Sequence, residues 1–275
     1  MKQTSLQGTI SVGLKTMTHS LTLTRAAKRS ERWLYWLAQH WLLAFNIAWG
    51  VFVIAPWLAP IFMKLGVSGV GDGIYWFYQF FCHQLPERSF FLFGSQPMYS
   101  MQQISTVWPV GDPNVLRQFI GNAAWGWKVA YSDRMVSMYT GFWFASIGYS
   151  VLRRRVPPLP IWGYVLLILP MAIDGGTHFL SDIQSGASLG FGFRDSNAWL
   201  AQLTNNAFPA TFYAGDTLGS FNSIMRLVTG ALFGLASVWL AWPYADAAFN
   251  EVREELEVKF KRRFDRLGAS NGQVS

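Results

Sequence analysis

The feature that most constrains this chain is a set of apolar runs too long to serve only as core segments of a soluble domain. Between Trp33 and Met63 only Gln39, His40 and Asn46 interrupt a nearly continuous apolar sequence. A helix crossing the hydrocarbon core of a bilayer needs roughly 20 such residues, and residues 42–62 supply them. Further runs lie at 136–152, 161–180 and 224–242. Backbone polar groups cannot stay unpaired in lipid, so such runs predict helices. Composition agrees: 13% of residues are charged, against about 25% in a soluble domain. The predicted fold class is all-α, an integral membrane bundle of four transmembrane helices with an interfacial aromatic helix and a C-terminal amphipathic helix.

Three regions follow from this pattern. Residues 1–32 form a basic, Ser/Thr-rich tail ending in Arg25, Lys28, Arg29 and Arg32. Its sequence lacks the uninterrupted apolar core and small-residue cleavage site of a signal peptide. Residues 33–243 form the membrane domain, with Pro56 and Pro60 expected to kink the far end of the first span. Within it, loops at 63–135 and 181–223 join the spans on one side. The aromatic segment 74–81 is too short to span and is expected along the interface. Residues 94–130 are punctuated by Gly and Pro, too long for a structureless connection and so folded or functional. Gly230 and Gly234 stand at GxxxG spacing, which permits close helix packing. Residues 244–275 carry Phe249, Val252, Leu256, Phe260 and Phe264 three or four apart, an amphipathic helix for a membrane surface or a partner.

Charge placement orients the bundle. A net charge of +7 on a soluble protein would suggest nucleic acid, but here the basic residues flank apolar runs and no nucleic-acid partner is expected. Arg25–Arg32, Arg153-Arg154-Arg155 and the 259–263 cluster fall on one side of four spans, as the positive-inside rule requires. The reading is a multi-pass protein of the bacterial inner (plasma) membrane with both termini cytoplasmic and both long loops extracytoplasmic.

The polar residues inside this framework define the candidate site. Residues 81–90, Phe-Cys-His-Gln-Leu-Pro-Glu-Arg-Ser-Phe, hold the single cysteine, and Pro86 is expected to end a helix arriving from Asp72. Cys82, His83 and Arg88 then approach the outer ends of the spans. There Asp133 and Arg134 open the second span, Asp174 and His178 sit in the third, and Asn222 and Arg226 open the fourth. Ionisable groups at membrane depth must pair or line a wet cavity, so these nine converge on a polar extracytoplasmic cavity. An Asp174–Arg226 ion pair tying the third span to the fourth is one expectation. Asp133 and Arg134 as a helix cap or headgroup contacts is another. Asp174 and His178 share a helix face, and with His83 they are the metal candidates, without any HExxH or CxxC pattern. Adjacent residues point about 100° apart on a helix, so His83 is a poor base for Cys82, which reads as a buried, inert thiol.

The order Cys82-His83-Gln84, Pro86, Arg88-Ser89-Phe90, then Arg134 with Tyr139 and Gly141, Asp174-Gly175, and Asn222, Arg226, Thr229-Gly230 and Gly234 resembles the bacterial membrane family DUF2085. The resemblance runs over roughly residues 75–242 and implies the fold and the location of the site, without an activity. Many members carry a Cys-x-x-Cys pair around the motif's arginine, where this chain has Ser132 and Met135. The third motif usually carries Gln where this chain has His178, and residues 95–128 read as an insertion.

The function expected is that of a small membrane subunit or a ligand- or lipid-binding protein, with membrane lipid and other membrane subunits as partners. The enzyme alternative is a metal-assisted lipid hydrolase, with His83, Asp174 and His178 on the metal and Arg88 and Arg226 on an anionic headgroup. Transport ranks last, because only His40 and Asn46 mark a polar path through the inner halves of the spans.

Overall fold

The computed structural model describes residues 28–109, 112–153, 155, 157–185 and 192–271. The expectations for the tail before Lys28, for Arg154 and for part of the 181–223 loop lie outside these. The chain divides into two compact units, one of residues 46–242 and one of residues 1–45 with 243–275.

Helix α1 (Arg29–Lys64) begins earlier than its apolar run and leaves helical geometry at His40, not at Pro56 or Pro60. The cause is local. His40 Nδ1 donates to the Trp36 carbonyl at 2.9 Å, taking the acceptor that a regular helix reserves for the backbone N–H of residue 40. Helix α2 (Ser68–Tyr78) is the aromatic segment, shifted toward the N-terminus of its expected range. Helix α3 (Asp133–Leu152), α4 (Ile161–Ser185) and α5 (Phe221–Asn271) follow. Among the described residues three helices are long and apolar enough to cross a membrane: Arg29–Lys64, Ile161–Gln184 and Phe221–Arg266. Helix α3, the predicted second span, has the length at 20 residues but is rich in Ser, Tyr and Gly.

In the 46–242 unit, exposed apolar side chains form helical stripes. On α1 they are Ile47, Val51, Ile54 and Leu58; on α4 they include Leu166, Leu169, Ile173 and Ile183. Bare apolar stripes of this extent suit lipid rather than water.

A three-stranded antiparallel sheet is the main departure from the all-α expectation. Its order is β1 (Ser89–Leu92), β3 (Gly126–Ser132), β2 (Gly121–Asn122). Ser89 pairs with Ser132 and Phe91 with Lys128, with a bulge between the two pairs. The predicted insertion is thus folded around this sheet, over a core of Phe91, Tyr99, Ile104, Leu116 and Phe119. A second core of Ala59, Tyr75, Tyr78, Val129 and Tyr131 joins α1, α2 and β3. Strand β3 is almost wholly buried, so its side chains show no clean polar–apolar alternation, and two- to seven-residue strands are too short to declare a period.

Two close approaches set the helix packing. A Cβ on Gly234 would stand 2.5 Å from both the Met138 carbonyl oxygen and the Phe142 nitrogen, and one on Gly230 would stand 2.8 Å from the Arg134 carbonyl oxygen. The GxxxG pair therefore lets the backbones of α3 and α5 meet. On the other flank of α3, Gly50 of α1 seats the indole of Trp143, whose Nε1–H donates to the Asn46 carbonyl at 2.9 Å.

The other unit is built from the chain's two ends. The predicted amphipathic helix is the continuation of α5 past Pro243 rather than a separate element. Its apolar face meets residues of α1: Trp41 stacks on Phe249 at 5.1 Å and Tyr35 lies edge-on to Phe260 at 5.7 Å. Glu31 accepts from Lys259 at 2.8 Å and Arg263 at 2.7 Å.

Candidate functional site

The turn after α2 supplies one wall. Helix α2 stops at Tyr78, well short of Pro86, which instead opens a 3-10 turn, Pro86–Arg88. Between them Gln84 adopts φ 54, a left-handed conformation uncommon for a residue with a Cβ. It is held from three sides: its side chain donates to the Tyr75 carbonyl at 2.9 Å, its N–H to Cys82 Sγ at 3.3 Å, and its carbonyl accepts from Lys128 Nζ at 2.8 Å. Cys82 Sγ also accepts the Ser132 N–H at 3.3 Å, so the buried thiol clips the turn to the end of β3. His83, next to it, is exposed.

Lys128 is fully buried, a placement lysine rarely takes unless paired. Its Nζ donates to the Gln84 carbonyl and to that of Arg117. Burial, partly opposed by Glu87, pushes its pKa down to about 7. Burial, partly opposed by Arg88, pushes Glu87 up to about 7, and Glu87 Oε2 has no hydrogen-bond partner among the described residues.

Two buried ion chains tie this turn to α3, α4 and α5. In the first, Asp174 on α4 accepts from Arg134 at 2.6 Å on one oxygen and from Arg194 at 2.6 Å on the other. In the second, Arg226 on α5 donates through Nε to both oxygens of Asp133, at 2.8 and 3.0 Å. Its Nη1 and Nη2 go to the Asp216 carboxylate at 2.5 Å and carbonyl at 2.9 Å. Asp216 then accepts from Arg88 Nε at 3.3 Å. Burial alone would raise the Asp216 carboxyl, but Arg226 and Arg88 outweigh it and hold it well below the usual range.

These partners correct the expected ones. Asp174 and Arg226 do not pair with each other. Asp133 does cap its helix, Oδ1 accepting the Arg134 N–H at 2.8 Å, but it is also fully buried under Arg226, and the Arg134 guanidinium reaches Asp174. Asn222 is a loop clasp, donating to the carbonyls of Arg194 at 2.7 Å and Gly215 at 3.1 Å and accepting from Asn197 at 3.1 Å.

In front of the network lies a cavity of about 510 Å³. Cys82, His83, Arg88, Arg134, His178 and Arg226 line it, whereas Asp133, Asp174 and Asn222 stand behind the wall. The sequence-predicted residues therefore converge, six on the cavity and three beneath it. Phe179 and Ile183 of α4, 65% and 60% exposed, form an apolar lip.

The metal reading finds no geometry here. Among the described residues no three His, Cys, Asp or Glu side chains group to hold a metal ion. Asp174, one of the three metal candidates, has both oxygens on guanidiniums, and His178 Nε2 lies 3.2 Å from Arg194, so a cation there would face positive charge.

Sequence reasoning missed Arg194, Asn197, Asp216 and Lys128. A lone carboxylate in an apolar helix signals a missing cation, but which of several loop arginines provides it is decided by how residues 192–220 fold.

Residues 122–240 match the family described as "Predicted membrane protein (DUF2085)". The resemblance to DUF2085 holds over that segment. The DUF2085 match contains α3, α4 and both ion chains except Arg88, while the Cys82–Phe90 part of the resemblance lies outside it. Uncharacterized protein MJ1492 of Methanocaldococcus jannaschii is 25% identical over 154 residues, 53% of this chain and 77% of its own length. No solved structure matches the chain. With its apolar helices and the match over residues 122–240, the chain is a predicted membrane protein, and MJ1492 is described only as uncharacterized.

Proposed function

We propose that this chain is a multi-pass membrane protein that binds a small ligand or a lipid headgroup, without chemical conversion, in the cavity beneath Arg88 and Arg134. One observation carries the reading: the cavity's charged wall is fixed by ion chains in which Asp133, Asp174 and Arg226 are fully engaged. Groups so paired position a wall; they are not free to trade protons or attack a bond.

In this reading α3 is also a span, the second of four, crossing at residues 136–152 alongside those at 42–62, 161–180 and 224–242. Both termini are cytoplasmic, in the inner membrane, with the cavity opening on the far side. The basic residues Lys28, Arg29, Arg153 and Lys259 support that orientation.

Native mass spectrometry of the detergent-purified chain tests the binding. A small molecule or lipid retained after the micelle is stripped, and lost when Arg88 and His83 are replaced by alanine, is the expected result. A strictly monomeric chain that retains nothing at any activation energy sinks the reading. Single cysteines placed at Ser105 and Ser150 test the orientation. Only the first should react with a membrane-impermeant maleimide added outside spheroplasts.

A further inference from the structure

Resting on that reading, we infer that the group the cavity holds is a phosphate-class oxyanion, gripped by Arg134 and Arg88. The cavity lining carries the guanidiniums of Arg88, Arg134 and Arg226 against the single carboxylate of Asp182, among the described residues. The three arginines differ in what they have left to give. Arg226 has Nε on Asp133 and both terminal nitrogens on Asp216, so each of its three nitrogens already meets an acceptor. It stabilises the wall and leaves recognition to the other two.

Arg134 is different. Its Nη2 donates to Asp174 at 2.6 Å, and its Nη1 lies where a Cβ on Gly175 would meet it at 3.0 Å. Its Nε is buried and has no hydrogen-bond partner among the described residues. A buried, unpaired N–H on a cation leaves a desolvation cost unrecovered unless an acceptor meets it. Arg88 is held at longer range, 3.3 Å from Asp216 and 3.7 Å from both Asp182 and Glu87. It comes from the turn after α2, while Arg134 comes from α3, and Ser132 and the exposed His83 border the same space. Donors converging from separate elements suit a tetrahedral oxyanion better than a planar one, and guanidinium is the group best shaped for it.

The same chemistry has two sources, a free phosphate or the headgroup of an acidic lipid. The apolar lip of Phe179 and Ile183, on a helix apolar enough to cross a membrane, would take an acyl chain in the second case.

The experiment is a titration of the purified full chain in a neutral detergent, followed by native mass spectrometry. The probes are inorganic phosphate, dihexanoyl phosphatidic acid, and dihexanoyl phosphatidylcholine as the zwitterionic comparison. The anionic probes should bind, and Arg134→Lys should weaken them about tenfold or more, the loss of one charge-assisted hydrogen bond. Lysine preserves a cation for Asp174, so the unfolding temperature should change little. Should that variant fail to fold, Arg88→Gln carries the test with the same expected loss. Phosphatidic acid binding at least tenfold more tightly than phosphate identifies the headgroup source, and equal binding identifies the free ion.

Folded variants that bind the anions as the wild type does would overturn the inference, as would a choline lipid bound as tightly as the acidic one. A neutral molecule found in the cavity would do the same while leaving the ligand-binding reading intact. No retained molecule and no binding of any probe removes both.

Discussion

Arg226 shows how a side chain can be legible in sequence and still be assigned the wrong neighbour. An arginine at the start of an apolar run demands a carboxylate, and Asp174 was the obvious one in a facing span. The structure gives it Asp133 and Asp216 instead, because Asp133 is on the adjoining helix and Asp216 is delivered by a loop whose path no periodicity encodes. Removing Arg226 takes the arginine from buried Asp133 and leaves Asp216 with Arg88 alone. Arg226→Ala should therefore cost about 3–5 kcal/mol, read as a large fall in unfolding temperature in detergent. Arg226→Lys should recover only part, since a compact ammonium lacks the fork that reaches Asp133 and Asp216 with separate nitrogens. Glu87 and Lys128 make a pH prediction. Glu87 rises from 4.5 to about 7 on folding, so between those values the folded chain holds a proton the unfolded chain has lost, and stability falls as pH rises. Lys128 drops from 10.5 to about 7, so between 7 and 10.5 the unfolded chain holds the extra proton and stability climbs. These two groups thus place a stability minimum near neutral pH. Unfolding temperatures measured across pH 5–10 should show it, with Glu87→Gln flattening the acid limb and Lys128→Met the alkaline one.

Among elements, the long apolar helices were readable because hydrophobic run length is a direct consequence of lipid. The sheet was not, since β3 is buried on both faces and β2 has only two residues. The GxxxG pair lay between these cases: the spacing was visible, its partner helix was not. Gly234→Ala would drive a methyl to 2.5 Å from backbone atoms of Met138 and Phe142, which cannot swing aside as a side chain can. The α3–α5 contact should open and the unfolding temperature fall sharply. Gly148, on α3 with nothing within 4 Å of an added Cβ, is the control. There alanine should raise stability by roughly 0.5–1 kcal/mol through helix propensity.

At the scale of the whole molecule, the two units should respond separately to damage. Phe260 is 1% exposed and packs on Tyr35. Phe260→Ala should cost about 3 kcal/mol in its own unit, seen as faster trypsin cleavage at Lys259, Lys261 and Arg262. Binding at the cavity, which belongs wholly to residues 46–242, should be unchanged. The sequence pattern made the apolar face of residues 246–267 plain. That its cover is residues 31–41 of the same chain could not be read, because the two segments lie some 200 positions apart.

Cys82 has one more consequence. It is the chain's single sulfhydryl, and it sits on the cavity wall with its sulfur between two backbone N–H groups. Nature has left a chromatographer's and spectroscopist's handle at the place of interest. Its rate of reaction with a small methanethiosulfonate, followed with and without added probe, would report occupancy of the cavity in the native chain, with no residue replaced.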